Sequence, residues 1–365
     1  MTDREKEIYD LISQDPMISQ EELAAKTGIS RSSVAVHISN LMKKGFIIGK
    51  GYVMQQPGYI TVFGAANIDI GGKPYSKLVE RDSNPGQVRT TLGGVGRNIA
   101  HNLSLLGNSV KFVSAFGDDN YAKEIRESCR QLGIDTHDSI ISKEDATSTY
   151  LFITRDDGDM ELAINDMDIY TRMTPDFIRD KQELLTHSSL VIVDANLPED
   201  TIEAICTRAT SPIIAETVSC AKAAKFKKVL SYIDTITPNI LEAEILTDMS
   251  LDADNTDSLK KAADRLMDRG IKKVVITLGS KGCFFADDKI SKKISPLKSK
   301  MVNGNGAGDA LLSGLATGFV KGMTFEDSVM LGMASASITL ETTQTNNPVL
   351  CFELAKKRAK IKESK

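Results

Sequence analysis

Val302-Asn303-Gly304-Asn305-Gly306-Ala307-Gly308-Asp309 decides how this chain is read. Three glycines and an alanine lead into one carboxylate. An apolar run at helical spacing follows at Leu311, Leu312, Leu315 and Phe319. A glycine-rich turn that opens a helix gathers backbone N–H groups at the positive end of the helix dipole, which makes it an anion site. A carboxylate placed there repels phosphates unless it takes part in the chemistry. One such part is to accept the proton of an attacking hydroxyl in phosphoryl transfer. The alternative is an ordinary glycine turn with an N-terminal Asp. The loop alone leaves the two readings even, and the rest of the chain decides between them.

The 365 residues are enough for two domains, one of them large, and the net charge is -4. Trp is absent and aromatics make up 5%, which argues against a stacking surface for single-stranded nucleic acid. Cys129, Cys206, Cys220, Cys283 and Cys351 are scattered, with no CxxC pair. That pattern suits a reducing cytoplasm and speaks against a disulfide framework or a zinc site. No apolar run approaches ~18 residues and the N-terminus is charged, so neither a membrane span nor a signal peptide is expected.

Residues 1–57 read as one module. A helix over 3–14 carries Ile8, Leu11 and Ile12 on one side. Ser19 and Glu22 fit a capping box, Gly28 stops the second helix, and Ser30 can cap a third with Val34, Ile38 and Leu41 at helical spacing. Residues 46–53 then read as two short strands around a Gly-Lys-Gly turn. Three helices and a hairpin make a winged helix-turn-helix. Residues 1–25 hold seven acids and two bases, whereas 26–57 hold five bases and no acid. The positive charge therefore falls on the third helix and the wing, the parts that meet double-stranded DNA in this motif. Arg31, Ser32, Ser33, His37 and Asn40 are candidates for the groove-facing side, and Lys50 for a backbone phosphate. The alternative is a packing module with a solvated basic face. "SRSSVAVHISNLMKKGFIIGKGYV" resembles the winged-helix domains at the N-terminus of bacterial sugar-responsive regulators.

Pro57-Gly58 marks the junction, and the second module, 58–365, begins with a buried strand at 59–64. Apolar strands and helical stretches then alternate, which implies a mostly parallel sheet covered by helices. Ligands collect at the carboxyl ends of such strands. Asn67, Asp69, Glu216, Asn239 and Gly279 all follow strands directly and can share one cleft with the 304–309 loop. Residues 70–92 and 147–166, the latter turning about 156–159, break the alternation and read as a small β-lid that excludes water from the cleft. An isolated small sheet needs its open face covered, so the lid is also the expected surface of a homodimer. Gly93-Gly94-Val95-Gly96-Arg97-Asn98 opens a helix closely enough for a ligand to meet the backbone, and Asn98 can bind a sugar hydroxyl. No GxxxxGK[ST] occurs, so a P-loop does not cradle the phosphates.

"GGVGRNIA" and "NGNGAGDA", with "TPNILEAE" and "TLGSKG" in order between them, resemble the paired motifs of the PfkB, or ribokinase-like, carbohydrate kinases. The resemblance implies a ribokinase-like α/β sandwich and Mg²⁺- and ATP-dependent phosphorylation of a sugar or nucleoside hydroxyl. It implies Asp309 as the base, with Gly306, Ala307 and Gly308 as the anion hole. Asn67, Asp69, Gly93, Gly94 and Asn98 would hold the sugar. Asn239 and Glu242 would order the Mg²⁺ and phosphate shell, Glu242 through water, and Thr277, Gly279 and Gly282 would line the nucleotide site. The family often has Asp where Asn303 stands, which removes a charge near the phosphates and bears on a monovalent cation. "INDMDIY", "VDANLP" and "ETVSCAKA" look like the pseudouridine kinases of this family, in which a fused winged helix also occurs. By position Asn165 and Asp166 would face the base, and Lys222 a phosphate or a substrate carbonyl. A turn Asp and a solvated Lys are the bland readings of the last two. A ligand-sensing regulator built on a kinase fold is the reading from another class.

Overall fold

The computed structural model describes residues 1–47, 58–157 and 159–361. The chain divides into two compact units, Met1–Gly58 and Tyr59–Lys365.

In the first unit, α1 (Asp3–Gln14), α2 (Gln20–Thr27) and α3 (Arg31–Lys43) close on a core of Ile8, Ile12, Leu23, Val34, Ile38, Leu41 and Ile47. Each start is capped. Thr2 and Glu5 form one capping box, Ser19 and Glu22 another, and Ser30 accepts from the Ser33 N–H. Gly28 stops α2 in the left-handed region. Glu5 is buried and its carboxylate is held by Lys44 at 2.7 Å. Most of the expected wing, with Lys50, lies outside the described residues.

The described residues of the second unit form fourteen strands. These are β1 (Tyr59–Phe63), β2 (Asn67–Pro74), β3 (Gly86–Gly93), β4 (Val110–Val113), β5 (Ala115–Gly117), β6 (Ile140–Ser142) and β7 (Thr149–Thr154). After them come β8 (Met160–Asp166), β9 (Ser188–Asp194), β10 (Ile213–Glu216), β11 (Thr235–Ile236), β12 (Lys273–Thr277), β13 (Cys283–Ala286) and β14 (Ser291–Ile294). Eight of them form the main sheet in the order β14-β13-β12-β11-β10-β9-β1-β4. The six from β12 to β4 run parallel, and only β13 and β14 turn back. Alternate residues of each strand enter opposite cores. Val191 and Val193 join one cluster, while Leu190 and Ile192 join the other. The second of these cores packs α4 (Val95–Leu105) and the helix Ala307–Val320 side by side on one face.

The strands β3-β2-β7-β8 form a separate four-stranded sheet. Its register puts Asp69, Tyr150 and Asn165 on one face, and Ile70, Leu151 and Ile164 on the other. On that second face Val88, Leu162 and Ile164 are 71%, 56% and 58% exposed.

The helix Ala307–Val320 crosses Phe325–Thr339 at backbone-to-backbone range. A Cβ on Gly314 would come within 2.7 Å of the Gly332 Cα, and one on Gly318 within 2.7 Å of the Ser328 Cα. Serine hydroxyls stand beside these points, but the backbone atoms at the same range cannot give way without moving a helix. Gly314→Ala is therefore expected to destabilise the protein by about 1–3 kcal/mol. Urea unfolding checks this, with a midpoint lower than wild type at unchanged slope.

Candidate active site

The carboxyl ends of the parallel strands carry the polar groups. Asp194 ends β9 and Glu216 ends β10, and the two are register partners. Asn239 lies just past β11 and bridges to Thr277 at the end of β12. Asn67 and Asp69 open β2, after the turn that leaves β1. Asp309 stands on the first turn of Ala307–Val320.

Asp309 accepts a hydrogen bond from Asn98 Nδ2 at 2.9 Å, which joins the two glycine-led helix starts. Burial pushes its carboxyl up to about 7, Asp194 adds to the shift, and Asn98 and Arg97 oppose it. Gly306 precedes it at φ 76, and a Cβ there would meet the Thr345 carbonyl oxygen at 2.2 Å. That position admits only glycine. Gly308 is exposed with nothing near its missing side chain, so the turn's backbone is open to a ligand. Asn303 closes the preceding bend, its Oδ1 accepting from the Asn305 N–H at 3.1 Å.

On the lid side, Asn67 Nδ2 donates to Asp69 Oδ1, and burial raises the Asp69 carboxyl. Gly93 is where that carboxylate lies, since a Cβ would stand 2.4 Å from Oδ2. Gly94, at φ 96, lets the chain pass the Ala65 carbonyl and turn into α4. Asn165 shares this face. Asp166, the next residue, pairs with Thr149 and points to the other face, so the expectation that both face one ligand is corrected. Successive side chains of a strand alternate, and a single base edge cannot take two neighbours. Lys222 Nζ donates to Asn196 Oδ1 and lies 3.8 Å from Met167 Sδ. Half-buried and held by Asn196, it is not a freely solvated helix lysine, and burial lowers its pKa.

Beneath the cleft, Glu242 is 4% exposed and fully engaged. It accepts from Thr217 Oγ1 at 2.6 Å, from the Asn239 N–H at 2.9 Å and from Asn239 Nδ2 at 2.7 Å. Glu216 accepts from Thr237 Oγ1 and the Val218 N–H, both at 3.1 Å. Burial first, then repulsion by Asp309 and Glu242, pushes the Glu216 carboxyl up to about 8. Val218 beside it sits at φ 63, which is strained for a β-branched residue. The sequence reading placed Glu216 at the cleft without a role and gave no sign of this strain.

A cavity of about 610 Å³ unites Thr277, Gly279 and Gly282 with Ala307 and Gly308. Its apolar walls are Leu297, Met301, Met333, Ala336 and Leu340. The sequence reading missed those walls, because a surface loop and one helix face carry no chemical signature. Gly282 is at φ 89 with the Ile294 carbonyl 1.9 Å from its absent Cβ, so it too admits only glycine.

The chain has known relatives in sequence and in fold. Residues 58–350 match the pfkB family carbohydrate kinase description. The chain belongs to that family. Residues 1–48 match winged helix-turn-helix DNA-binding domains. An uncharacterized sugar kinase of Escherichia coli, YeiI, is 36% identical over 97% of this chain and 98% of its own length. A pseudouridine kinase of Escherichia coli is 35% identical over 81% of this chain and 95% of its own. Among solved structures, a carbohydrate kinase from Agrobacterium tumefaciens superposes with a TM-score of 0.73 at 29% identity, covering 83% of this chain and 97% of that one. Arabidopsis thaliana ribokinase complexed with ribose and ATP gives 0.76 at 21% identity, covering 84% and 100%, and so shares the fold. The chain is thus a PfkB-family sugar or nucleoside kinase with an N-terminal winged helix-turn-helix. Among the described residues no helix is long and apolar enough to cross a membrane.

On α3 the outward row is Ser32, Val36, Ser39 and Lys43. Ser33, His37 and Asn40 lie one position round the helix and are half-buried. His37 Nδ1 is buried without a partner, and Arg31 is exposed and paired with Glu21 at 2.9 Å. The core positions Val34, Ile38 and Leu41 already fix this phase, but the sequence reading chose its candidates by residue type and did not carry the phase over to Val36 and Ser39.

The raised Asp309 carboxyl has a stability consequence. Its folded pKa of about 7 lies above the ordinary 3.8, so folded-state ionisation becomes progressively unfavourable between those values and stays so above pH 7. Asp309→Asn removes that burden. The variant is expected to melt several degrees above wild type at pH 8 and close to wild type at pH 4. Calorimetry at the two pH values checks the sign.

Proposed function

We propose that the chain transfers the γ-phosphoryl group of ATP to the 5′-hydroxyl of pseudouridine, giving pseudouridine 5′-phosphate. The observation that carries the reading is Asp309, ionisable near neutral pH, held by Asn98 at the mouth of a glycine turn. There its carboxylate takes the proton of the attacking hydroxyl oxygen while the turn's N–H groups face the moving phosphoryl group. The apolar cavity suits an adenine, and the open space beside Gly279 and Gly308 leaves room for the nucleotide's phosphates. Glu242 has both oxygens engaged, which suits holding Mg²⁺ through water and not directly. Asn67, Asp69 and Asn98 take the ribose, and Asn165 and Lys222 are the side chains offered to the base. The 35% identity to a pseudouridine kinase supports that substrate. The 36% identity to a sugar kinase keeps another nucleoside or a sugar as the alternative.

A panel of pseudouridine, uridine, cytidine, inosine, adenosine, ribose and fructose with ATP should rank pseudouridine first by kcat/KM, and any other leader rejects the substrate. Asp309→Asn should lower kcat by about 10²–10⁴-fold with little change in fold. Near-wild-type turnover rejects the base assignment.

The reading extends to assembly and regulation. The exposed apolar lid face suits a homodimer, and a dimeric winged helix can meet two half-sites of double-stranded DNA. Ile164→Lys, on the edge strand of that face, should halve the mass seen by light scattering, and an unchanged mass sinks the lid dimer. Anisotropy titration of DNA upstream of the protein's own operon, with and without pseudouridine and ATP, asks whether ligand shifts DNA affinity. Equal affinities at fixed salt reject the coupling. Affinity no better than for random DNA rejects the regulatory role.

A further inference from the structure

Arg97 precedes Asn98 on the first turn of α4, and only 4% of it is exposed. A buried guanidinium ordinarily faces a carboxylate. Arg97 instead hydrogen-bonds only to neutral oxygens among the described residues. Nε donates to the Gly93 carbonyl at 2.9 Å, and Nη2 donates to the Leu92 carbonyl at 2.8 Å, to Asn98 Oδ1 at 2.5 Å and to Asn346 Oδ1 at 3.3 Å. Asn346 in turn donates from Nδ2 to the Asn98 carbonyl and to Asn102 Oδ1, both at 3.0 Å. The neighbouring Thr345 carbonyl is the group that fills the space beside Gly306. One side chain thus links the end of β3, the start of α4 and the segment behind the glycine turn.

An asparagine amide has one acceptor end and one donor end, and its neighbours decide which way it points. Arginine can only donate, so Asn98 Oδ1 must face Arg97 and Nδ2 must face Asp309. Without Arg97 the amide can flip and set its oxygen against the carboxylate. We infer that Arg97 is a positioning residue for phosphoryl transfer. With Nε anchored on the Gly93 carbonyl, its Nη2 holds the Asn98 amide in the orientation that offers a donor to Asp309, and ties that amide to the segment behind the glycine turn. The inference rests on the reading of Asp309 as the base.

Its charge adds a second signature. Asp309 feels Asp194 from β9 against it, and Asn98 and Arg97 from α4 in its favour. Arg97 itself faces Asp69, Asp309 and Cys129. Burial pushes the Cys129 thiol up to about 11, so it stays neutral. His101, one turn along α4, is pushed down to about 4 by burial and by Arg97, and is neutral as well. Glu216, held up to about 8, is largely protonated at pH 7. Near neutral pH Arg97 is therefore the α4 cation that keeps Asp309 ionisable.

The test is steady-state kinetics on the full chain with ATP, Mg²⁺ and the best substrate of the panel, plus a melting curve for each variant. Arg97→Gln should lower kcat about tenfold to a hundredfold at pH 7, raise the acidic limb of kcat/KM by roughly one pH unit, and leave the KM for ATP within about threefold. Arg97→Lys keeps the charge but not the fork, so its limb should stay at the wild-type position while kcat still falls. Asn346→Ala should lower kcat without moving the limb. Wild-type kcat and limb in Arg97→Gln overturn the inference. Should that variant not fold, wild-type kcat in both Arg97→Lys and Asn346→Ala overturns it. An inactive Asp309→Asn beside a wild-type Arg97→Gln removes Arg97 alone. An active Asp309→Asn removes the base, and the Arg97 inference with it.

Discussion

Asp309 and Asn98 are 211 residues apart in the chain and joined by a 2.9 Å hydrogen bond. Everything that positions the site serves that closeness. The helix Ala307–Val320 and α4 must start at the same edge of the sheet, lie side by side on one face, and point their N-termini into one cleft. The parallel strands supply the common edge, because each leaves the sheet at the same end. Glycines supply the approach. Gly96 brings α4 to within contact of Gly64, and Gly314 and Gly318 bring the other helix onto its neighbour. A side chain at any of these points would move one helix start relative to the other by an ångström or more, and a proton-transfer geometry does not survive that.

Much of this was legible in the sequence because it is written in residues with little freedom. Glycines that cannot be replaced at φ 76, 89 and 96, and a lone carboxylate after such a run, leave few readings. Strand–helix alternation likewise gave the sheet, and the Ser19/Glu22 capping box and the Ser30 cap gave the starts of α2 and α3, whereas the Thr2/Glu5 box on α1 went unread. What stayed illegible is what depends on contact between distant segments. The apolar wall of the nucleotide cavity is built from Leu297 and Met301 on one segment and Met333, Ala336 and Leu340 on another, and each is ordinary in its own context. Arg97 drew no reading of its own within the stretch that opens α4, since nothing local says that its acceptors include Asn346. The two lid candidates failed differently. Asn165 and Asp166 were read as a pair of suitable chemistry, and strand geometry separates them onto opposite faces.

The cleft also collects features that a fold selected for stability alone would shed. Glu216 and Asp309 are both held well above the ordinary carboxylate range, and Val218 is strained beside them. Asp194 is wholly buried, its charge met by the Ala65 and Asn196 N–H groups at 2.8 Å. Local strain and buried carboxyl groups of this kind persist only when the surrounding packing overdetermines them. Here the two cores on either face of the sheet, both continuous and apolar, supply that surplus.

The choice of an amide and not a guanidinium as the immediate partner of Asp309 follows from what a general base must do. A direct ion pair would lower the carboxyl far below neutrality, and a weakly basic carboxylate gains little by taking a hydroxyl proton. With no charged partner and no donor, burial would carry it the other way, and it would be protonated at the pH where it must accept. Asn98 touches the carboxylate with a neutral donor, while Arg97, one position away and bonded to four carbonyl-type oxygens, acts on it only through space. The two opposing influences leave the carboxyl at about 7, where both ionisation and basicity are available to the same group.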